Sequence, residues 1–283
     1  MRKILLYMAI LMFGLWFSCT ERIEIELDEE DVRLVVEGSI SNEHVNHSVR
    51  LTQSTSYFYN QEPPAIRGAR VVLNDGTRDI TLVERASDPG FYFTPMLFSG
   101  QPGATYKLDI ELPEAIAGSA TYTAEATMPD SKFVLDSIGI EYNRDFDFWL
   151  VKVYAQDPPT VDFYRFDTYL NGLNGNDTTS RAVATHDRFF NGRNTNGFAI
   201  AFYDGEILSP GDTITMIMSA ISEDYYYFYS ELVDESGFQN PLFSGPPANI
   251  RTNIKGGGLG YFYARQVRKA RLYVPEVKEE LAP

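Results

Sequence analysis

The chain has 283 residues, with 39 Asp and Glu against 24 Lys and Arg, a formal charge of −15 and a single cysteine. So acidic a surface repels phosphate backbones and anionic lipid, which argues against nucleic acid as a partner. One cysteine cannot form an internal disulfide, so the fold rests on burial and hydrogen bonding alone.

The N-terminus carries Arg2 and Lys3, an apolar run from Ile4 to Phe17, then Ser18 and Cys19. A basic start, an apolar core of secretory length and a small residue before the cut describe an export signal. The run is shorter than the about 20 apolar residues a membrane span needs. A lone cysteine at its end reads as a lipoprotein signal over residues 1–18, with Cys19 as the lipid-bearing residue. The plainer alternative is an ordinary leader with an incidental thiol. Trp16 and Phe17 are bulkier than the residues that usually precede a lipoprotein cut. Residues 19–31 follow as an acidic tether, from Glu21 to Asp31, which reads as a solvated spacer or as a surface-export mark.

From Val32 the apolar period is two. Leu34–Gly38 starts a strand, Ser41–His47 is a polar turn, and Val49 and Leu51 share a face of the next strand. Ala69–Leu73, the turn Asn74-Asp75-Gly76-Thr77, and then Ile80 and Leu82 form a hairpin, because Asp-Gly tolerates the positive φ of tight turns. Gly90–Phe93 is a short strand. Tyr106, Leu108 and Ile110 share one face, and Tyr122, Ala124, Ala126 and Met128 another. Pro129-Asp130-Ser131 is the expected domain boundary. Beyond it strands resume around Ile138–Ile140, Phe148–Val153 and Phe163–Phe166, then at the alternating sets Phe198, Ile200, Phe202 and Ile214, Met216, Met218.

One helix is predicted near 222–236. Ser222 caps it, Glu223 and Asp224 suit its positive end, Gly237 closes it, and Tyr225, Phe228, Tyr229, Leu232 and Val233 form an apolar stripe. An aromatic strand, Tyr261-Phe262-Tyr263, and a last strand through Leu272 and Val274 follow. The fold class is therefore all-β, mainly antiparallel. An N-terminal immunoglobulin- or transthyretin-like β-sandwich occupies 32–128, and a larger β-rich sandwich or barrel with one short helix occupies 132–283.

Materials for catalysis are few. His44 and His47, with Glu43, have a spacing that could bring two imidazoles to one metal, although a polar hairpin tip explains them as well. His186-Asp187 could orient a serine, but no serine is singled out by its context. Gly256–Gly260 lacks the Gly-Lys-Ser/Thr ending of a phosphate loop and reads as close backbone packing or a mobile loop. Asp145 with Asp147, and Asn174 with Asn176 and Asp177, offer oxygens suited to calcium, as do many solvated acidic loops. No other cofactor is expected. The aromatic clusters Tyr57-Phe58-Tyr59, Tyr225–Tyr229 and Tyr261–Tyr263 hold more rings than one side of a strand or helix can bury. Tyr57, Tyr59, Tyr226 and Tyr227 are the residues expected to meet a ligand or partner.

Across most of the chain these features resemble a known family. The lipoprotein signal, the acidic tether, Leu34–Gly38, the strand around Tyr122, Pro210-Gly211-Asp212-Thr213, the tyrosine helix, Pro246–Ile250 and Gly257–Phe262 are similar to the Bacteroidota lipoproteins grouped as domain-of-unknown-function family 4249. The resemblance implies an outer-membrane, surface-exposed lipoprotein, partner to a SusC-type TonB-dependent barrel that is usually encoded beside it. It implies no catalytic or ligand residue. The expected function is a non-catalytic subunit that captures substrate for, or caps, such a barrel. A stand-alone adhesin or scaffold is the alternative, and a hydrolase with dispersed carboxylates ranks last.

Overall fold

The computed structural model describes residues 32–55, 62–174, 182–237 and 249–275. The first strands are β1 (Leu34–Ser41), β2 (Ser48–Gln53), β3 (Arg70–Asn74), β4 (Asp79–Thr81), β5 (Val83–Arg85), β6 (Asp88–Phe93), β7 (Thr105–Ile116) and β8 (Ser119–Thr127). The next are β9 (Val134–Asn143), β10 (Phe148–Gln156), β11 (Phe163–Leu170), β12 (Leu173–Asn174), β13 (Val183–His186), β14 (Phe198–Asp204) and β15 (Thr213–Ile221). The helix α1 (Glu223–Ser236) and the strand β16 (Leu259–Tyr273) complete the chain. The all-β class, mainly antiparallel with one helix among the described residues, is the class expected from the period-two pattern.

The strands form three sheets. A nine-stranded sheet runs β12-β11-β15-β16-β1-β2-β6-β5, with β13 also paired to β11. A four-stranded sheet runs β4-β3-β7-β8, and a three-stranded sheet runs β14-β10-β9. Their alternation explains how they stack, since residues two apart share a face. Leu34, Val36 and Ile40 of β1 and Phe262 and Ala264 of β16 join a core with Val71, Leu73, Tyr106, Leu108 and Ile110 of the four-stranded sheet. The even residues Ile214, Met216, Met218 and Ala220 of β15 join a second core with Trp149, Val151 and Val153 of the three-stranded sheet, and Ala270 and Leu272 of β16 pack against it. The first core draws largely on 34–128 and the second largely on 133–220, on either side of Pro129–Ser131. Nevertheless, Val32–Pro283 is one compact unit, because β16 pairs with β1 on one side and β15 on the other.

The β1–β16 pairing is parallel, in register from Val35↔Leu259 to Ser41↔Arg265. It requires a glycine at 260, whose φ is +84° and where a Cβ would lie 2.2 Å from the Val36 carbonyl oxygen. The glycine run is thus close backbone packing. Gly256, at φ +97°, likewise abuts the Thr121 carbonyl oxygen, 2.6 Å from an added Cβ.

Two expectations are corrected. The aromatic strand and the last strand are one element, β16, 15 residues long, since antiparallel pairing to β15 continues to Tyr273. Phe198, Ile200 and Phe202 do not share a face. A bulge opposite Val151/Lys152 leaves Ile200 without a partner and turns it into the core, at 2% exposure, while Phe202 is 64% exposed.

The Asp-Gly turn forms as expected, with Asp75 Oδ1 accepting from the Thr77 and Arg78 backbone N–H groups, each at 2.9 Å, and from the Thr77 hydroxyl at 2.6 Å. Burial alone would push the Asp75 carboxyl up, but these donors lower it from 3.8 to about 2. Its contribution is therefore complete above the unfolded value and is lost as pH falls through the folded one. Urea titrations should show Asp75→Ala destabilising the protein by roughly 2 kcal/mol at pH 7, a difference that shrinks between about pH 4 and pH 2. Gly260→Ala should cost on the order of 3 kcal/mol by the same assay, because the added methyl displaces the β1 backbone; a loss well under 1 kcal/mol would refute the close approach.

Candidate functional site

The face of the long sheet opposite the two cores carries the most unusual chemistry. On β16 it presents Tyr261, Tyr263 and Arg265, and on β11 it presents Phe163, Arg165 and Asp167. The helix lies over them. Ser222 caps α1 by accepting from the Tyr225 N–H at 3.3 Å, and the Gly237 N–H donates to the Val233 carbonyl at 3.0 Å. Tyr225, 3% exposed, stacks on Tyr263 with ring centroids 3.7 Å apart and planes 9° apart. Phe228 packs on Tyr261 at 4.7 Å, and the Tyr229 hydroxyl donates to the Ala182 carbonyl at 3.1 Å.

Arg165 ties helix to sheet. Its Nη1 donates to the Tyr225 hydroxyl at 2.6 Å, its Nε and Nη2 donate to Asp167 Oδ1 at 3.0 and 2.8 Å, and its guanidinium lies 4.6 Å from the centre of the Tyr229 ring. Arg265 Nη1 reaches Asp167 Oδ2 at 3.4 Å. Two guanidiniums thus share one carboxylate, a surplus positive charge set among tyrosines in an acidic protein. Burial pushes the Tyr263 phenol up, but Arg265 and Arg165 more than offset this and hold it below its ordinary value. Burial holds the stacked Tyr225 well above its own. The arrangement clamps the helix and presents a cationic, aromatic surface at its margin.

Two of the predicted contact residues, Tyr226 and Tyr227, lie at this surface. Tyr226 is half-buried, 5.2 Å from Phe163 and 6.2 Å from His186. Tyr227 is 41% exposed, and the Arg251 guanidinium, paired with Glu231, lies 4.8 Å from its ring centre. Cys19, the acidic tether, Tyr57, Tyr59, Asn176 and Asp177 lie outside the described residues. Of the metal candidates, His47 is buried and its Nε2 bonds to the Phe98 carbonyl at 2.9 Å, His44 meets Ser99, and Glu43 pairs with Lys269. The structure thus gives each of the three its own neighbour. Asp147 accepts the Tyr142 hydroxyl proton, and Asp145 is exposed beside it. His186 does not address Asp187; its Nδ1 accepts from the Arg188 N–H at 3.2 Å.

Sequence reasoning missed a buried trio. Asp157, Asp162 and Asp187 are 2%, 9% and 1% exposed, and one carboxylate oxygen from each lies within 4.8 Å of the others. Tyr164 and the Gly192 N–H donate to Asp157, the Asp162 N–H to Asp187, and Thr160 to Asp162. Burial pushes Asp157 up, despite those donors. Hard oxygen donors so placed could hold a divalent cation. Their hydrogen bonds meanwhile tie the start of β11 to the loop after β13. The spacing of the three in sequence has no metal signature. By contrast, the strings Phe163-x-Arg165-x-Asp167 and Tyr261-x-Tyr263-x-Arg265 did carry a signal, namely charge and aromatics on one parity of a strand.

The fold and this face define an all-β protein of stacked sheets whose helix is clamped by shared arginine–tyrosine contacts. The chain belongs to the family described as "Domain of unknown function (DUF4249)", which matches residues 20–271. Comparison with curated proteins finds no match. Among solved structures, a chain titled "Cytokine receptor complex - Crystal form 1A" aligns at 9% identity over 84% of this chain and 95% of that one, with a TM-score of 0.25, too low to support any statement about a shared fold.

Arg165→Met should destabilise the protein by about 3 kcal/mol in urea titrations, since it removes the shorter guanidinium contacts from the buried Asp167. Tyr225→Phe should cost about 1 kcal/mol. Arg165→Lys should not restore the wild-type value, because an ammonium cannot meet both partners with one planar fork.

Proposed function

We propose that the protein is a lipid-anchored, non-catalytic lipoprotein of the outer membrane, exposed at the cell surface, that serves a SusC-type TonB-dependent barrel as a substrate-capturing or lid subunit. One observation carries the reading: the family match begins at residue 20, directly behind the lone Cys19 that closes the apolar run. The match thus covers the chain behind the cysteine and stops short of the apolar run, which fits a leader removed at that point. Several acyl chains on Cys19 make a durable anchor, where one alone would bind only weakly. The cationic, aromatic rim beside α1 supports a role in contact, since arginine and tyrosine are enriched in interface centres.

Cys19→Ser should abolish incorporation of a labelled palmitate and release the protein from the membrane fraction. Wild-type protein drawn from outer membranes in mild detergent should bring a TonB-dependent barrel in near-equal amount. Label without a barrel would keep the lipoprotein and remove the transport role; absence of label would remove the anchor.

A further inference from the structure

Among the described residues, the outer side of the three-stranded sheet carries a group of exposed phenylalanines in mutual contact. Phe146 in the β9–β10 turn is 74% exposed and Phe202 of β14 is 64% exposed. They form a continuous group with Phe148: Phe146 and Phe148 stack at 6.1 Å, and Phe148 meets Phe202 edge to face at 5.7 Å. Exposed rings of this size, grouped instead of scattered, mark interaction sites. The border is mainly acidic. Asp145, Asp204 and Glu206 are all exposed and enter no ion pair among the described residues, against one exposed cation, Arg144, while Lys152 on the same face is paired with Glu141. Beside them β14 pairs only with β10, so among the described residues its outer edge has no strand against it. The bulge at Ile200 shortens the straight part of that edge, leaving side chains to supply most of any affinity.

We propose that this corner is a docking site for an extended, arginine- or lysine-bearing segment of a partner protein, laid along the free edge of β14. Each feature selects that occupant. Ring faces attract cations, and the bordering carboxylates supply the opposite charge. The unpaired edge offers main-chain hydrogen bonds to an extended chain. Anionic lipid is repelled by the same carboxylates. The inference stands whether or not the partner is a barrel.

The probe is a short peptide of alternating leucine and arginine, titrated into the full chain at physiological salt. Three comparisons accompany it: the leucine–glutamate counterpart, an N-methylated form that cannot pair as a strand, and phosphatidylglycerol vesicles. The arginine peptide should bind best. Phe146→Ser with Phe202→Ser, and separately Asp204→Asn with Glu206→Gln, should each weaken it at least about tenfold. N-methylation should weaken it too. All four substituted residues are exposed, so the fold should persist, which circular dichroism checks. Binding indifferent to both double variants would overturn the proposal, as would preference for the glutamate peptide or the vesicles. A concentration-dependent dimer lost on Phe146→Ser/Phe202→Ser would also overturn it, by assigning the corner to a second copy of this chain.

Discussion

The structure depends on the parallel pairing of β1 with β16. Parallel neighbours need a long connection, and here almost the whole chain lies between them. The pairing therefore forms only after most of the entropy of ordering the chain has been lost, and it must be specified tightly. Two features specify it. Gly260 admits the Val36 carbonyl at a distance no side chain would allow, and the Lys255–Thr123 bridge holds the preceding turn against β8. Asn253 adds a third tie, donating to the Phe262 carbonyl at 2.6 Å and accepting from the Phe262 N–H at 3.0 Å.

Once β16 is in place, its length does the rest. Fifteen residues at about 3.3 Å each span roughly 50 Å, enough to run beneath both smaller sheets. Its even positions fill one core at Phe262 and Ala264 and border the other at Ala270 and Leu272. Its odd positions, Tyr261, Tyr263 and Arg265, make the bed for α1. A strand that is core on one side and aromatic-cationic on the other couples the helix to both cores. This explains why a 14-residue helix with only Tyr225 and Tyr229 fully buried is ordered at all. Its own apolar stripe is narrow, and the ionic and stacking contacts from β11 and β16 make up the difference.

Local structure was legible in the sequence where one residue type has one physical use. Ser222, Glu223 and Asp224 located the start of α1, Asp75-Gly76 located a hairpin, and the alternation through Tyr106, Leu108 and Ile110 identified a face that is buried throughout. What stayed hidden was non-local. Nothing near Val35 announces a partner at Leu259, so the sharing of one sheet by both cores could not be read. The alternation at Phe198, Ile200 and Phe202 misled because a bulge inserts one residue without changing the composition. The Asp157, Asp162 and Asp187 trio is assembled from the end of β10 and the loops flanking β11 and β13, and no local pattern records that. On the candidate surface, aromatic density in the sequence marks Tyr226 and Tyr227. Arg165 and Asp167, which position the helix that carries them, sit in a strand pattern that gives them no mark distinguishing them from solvated charges.

Charge gives the last distinction between surfaces. Although the chain is strongly acidic, the strands of the long sheet place a row of cations on the face that α1 partly covers. Arg85 lies 3.6 Å from the Phe93 ring centre and Arg50 lies 5.3 Å from that of Phe91, with Lys269 and Arg271 on the same parity as Arg265. Glu37, paired with Arg50, and Asp167 are the acidic side chains these strands interleave with them, and Glu43 and Glu62 reach in from loops to pair with Lys269 and Arg50. The outer side of the three-stranded sheet is the reverse, with phenylalanines bordered by carboxylates. Stacking through the cores sets these two faces apart, so strand parity sorts their side chains as it sorts those of the cores. The alternation that fills the two cores thus also decides which charges each outer face carries.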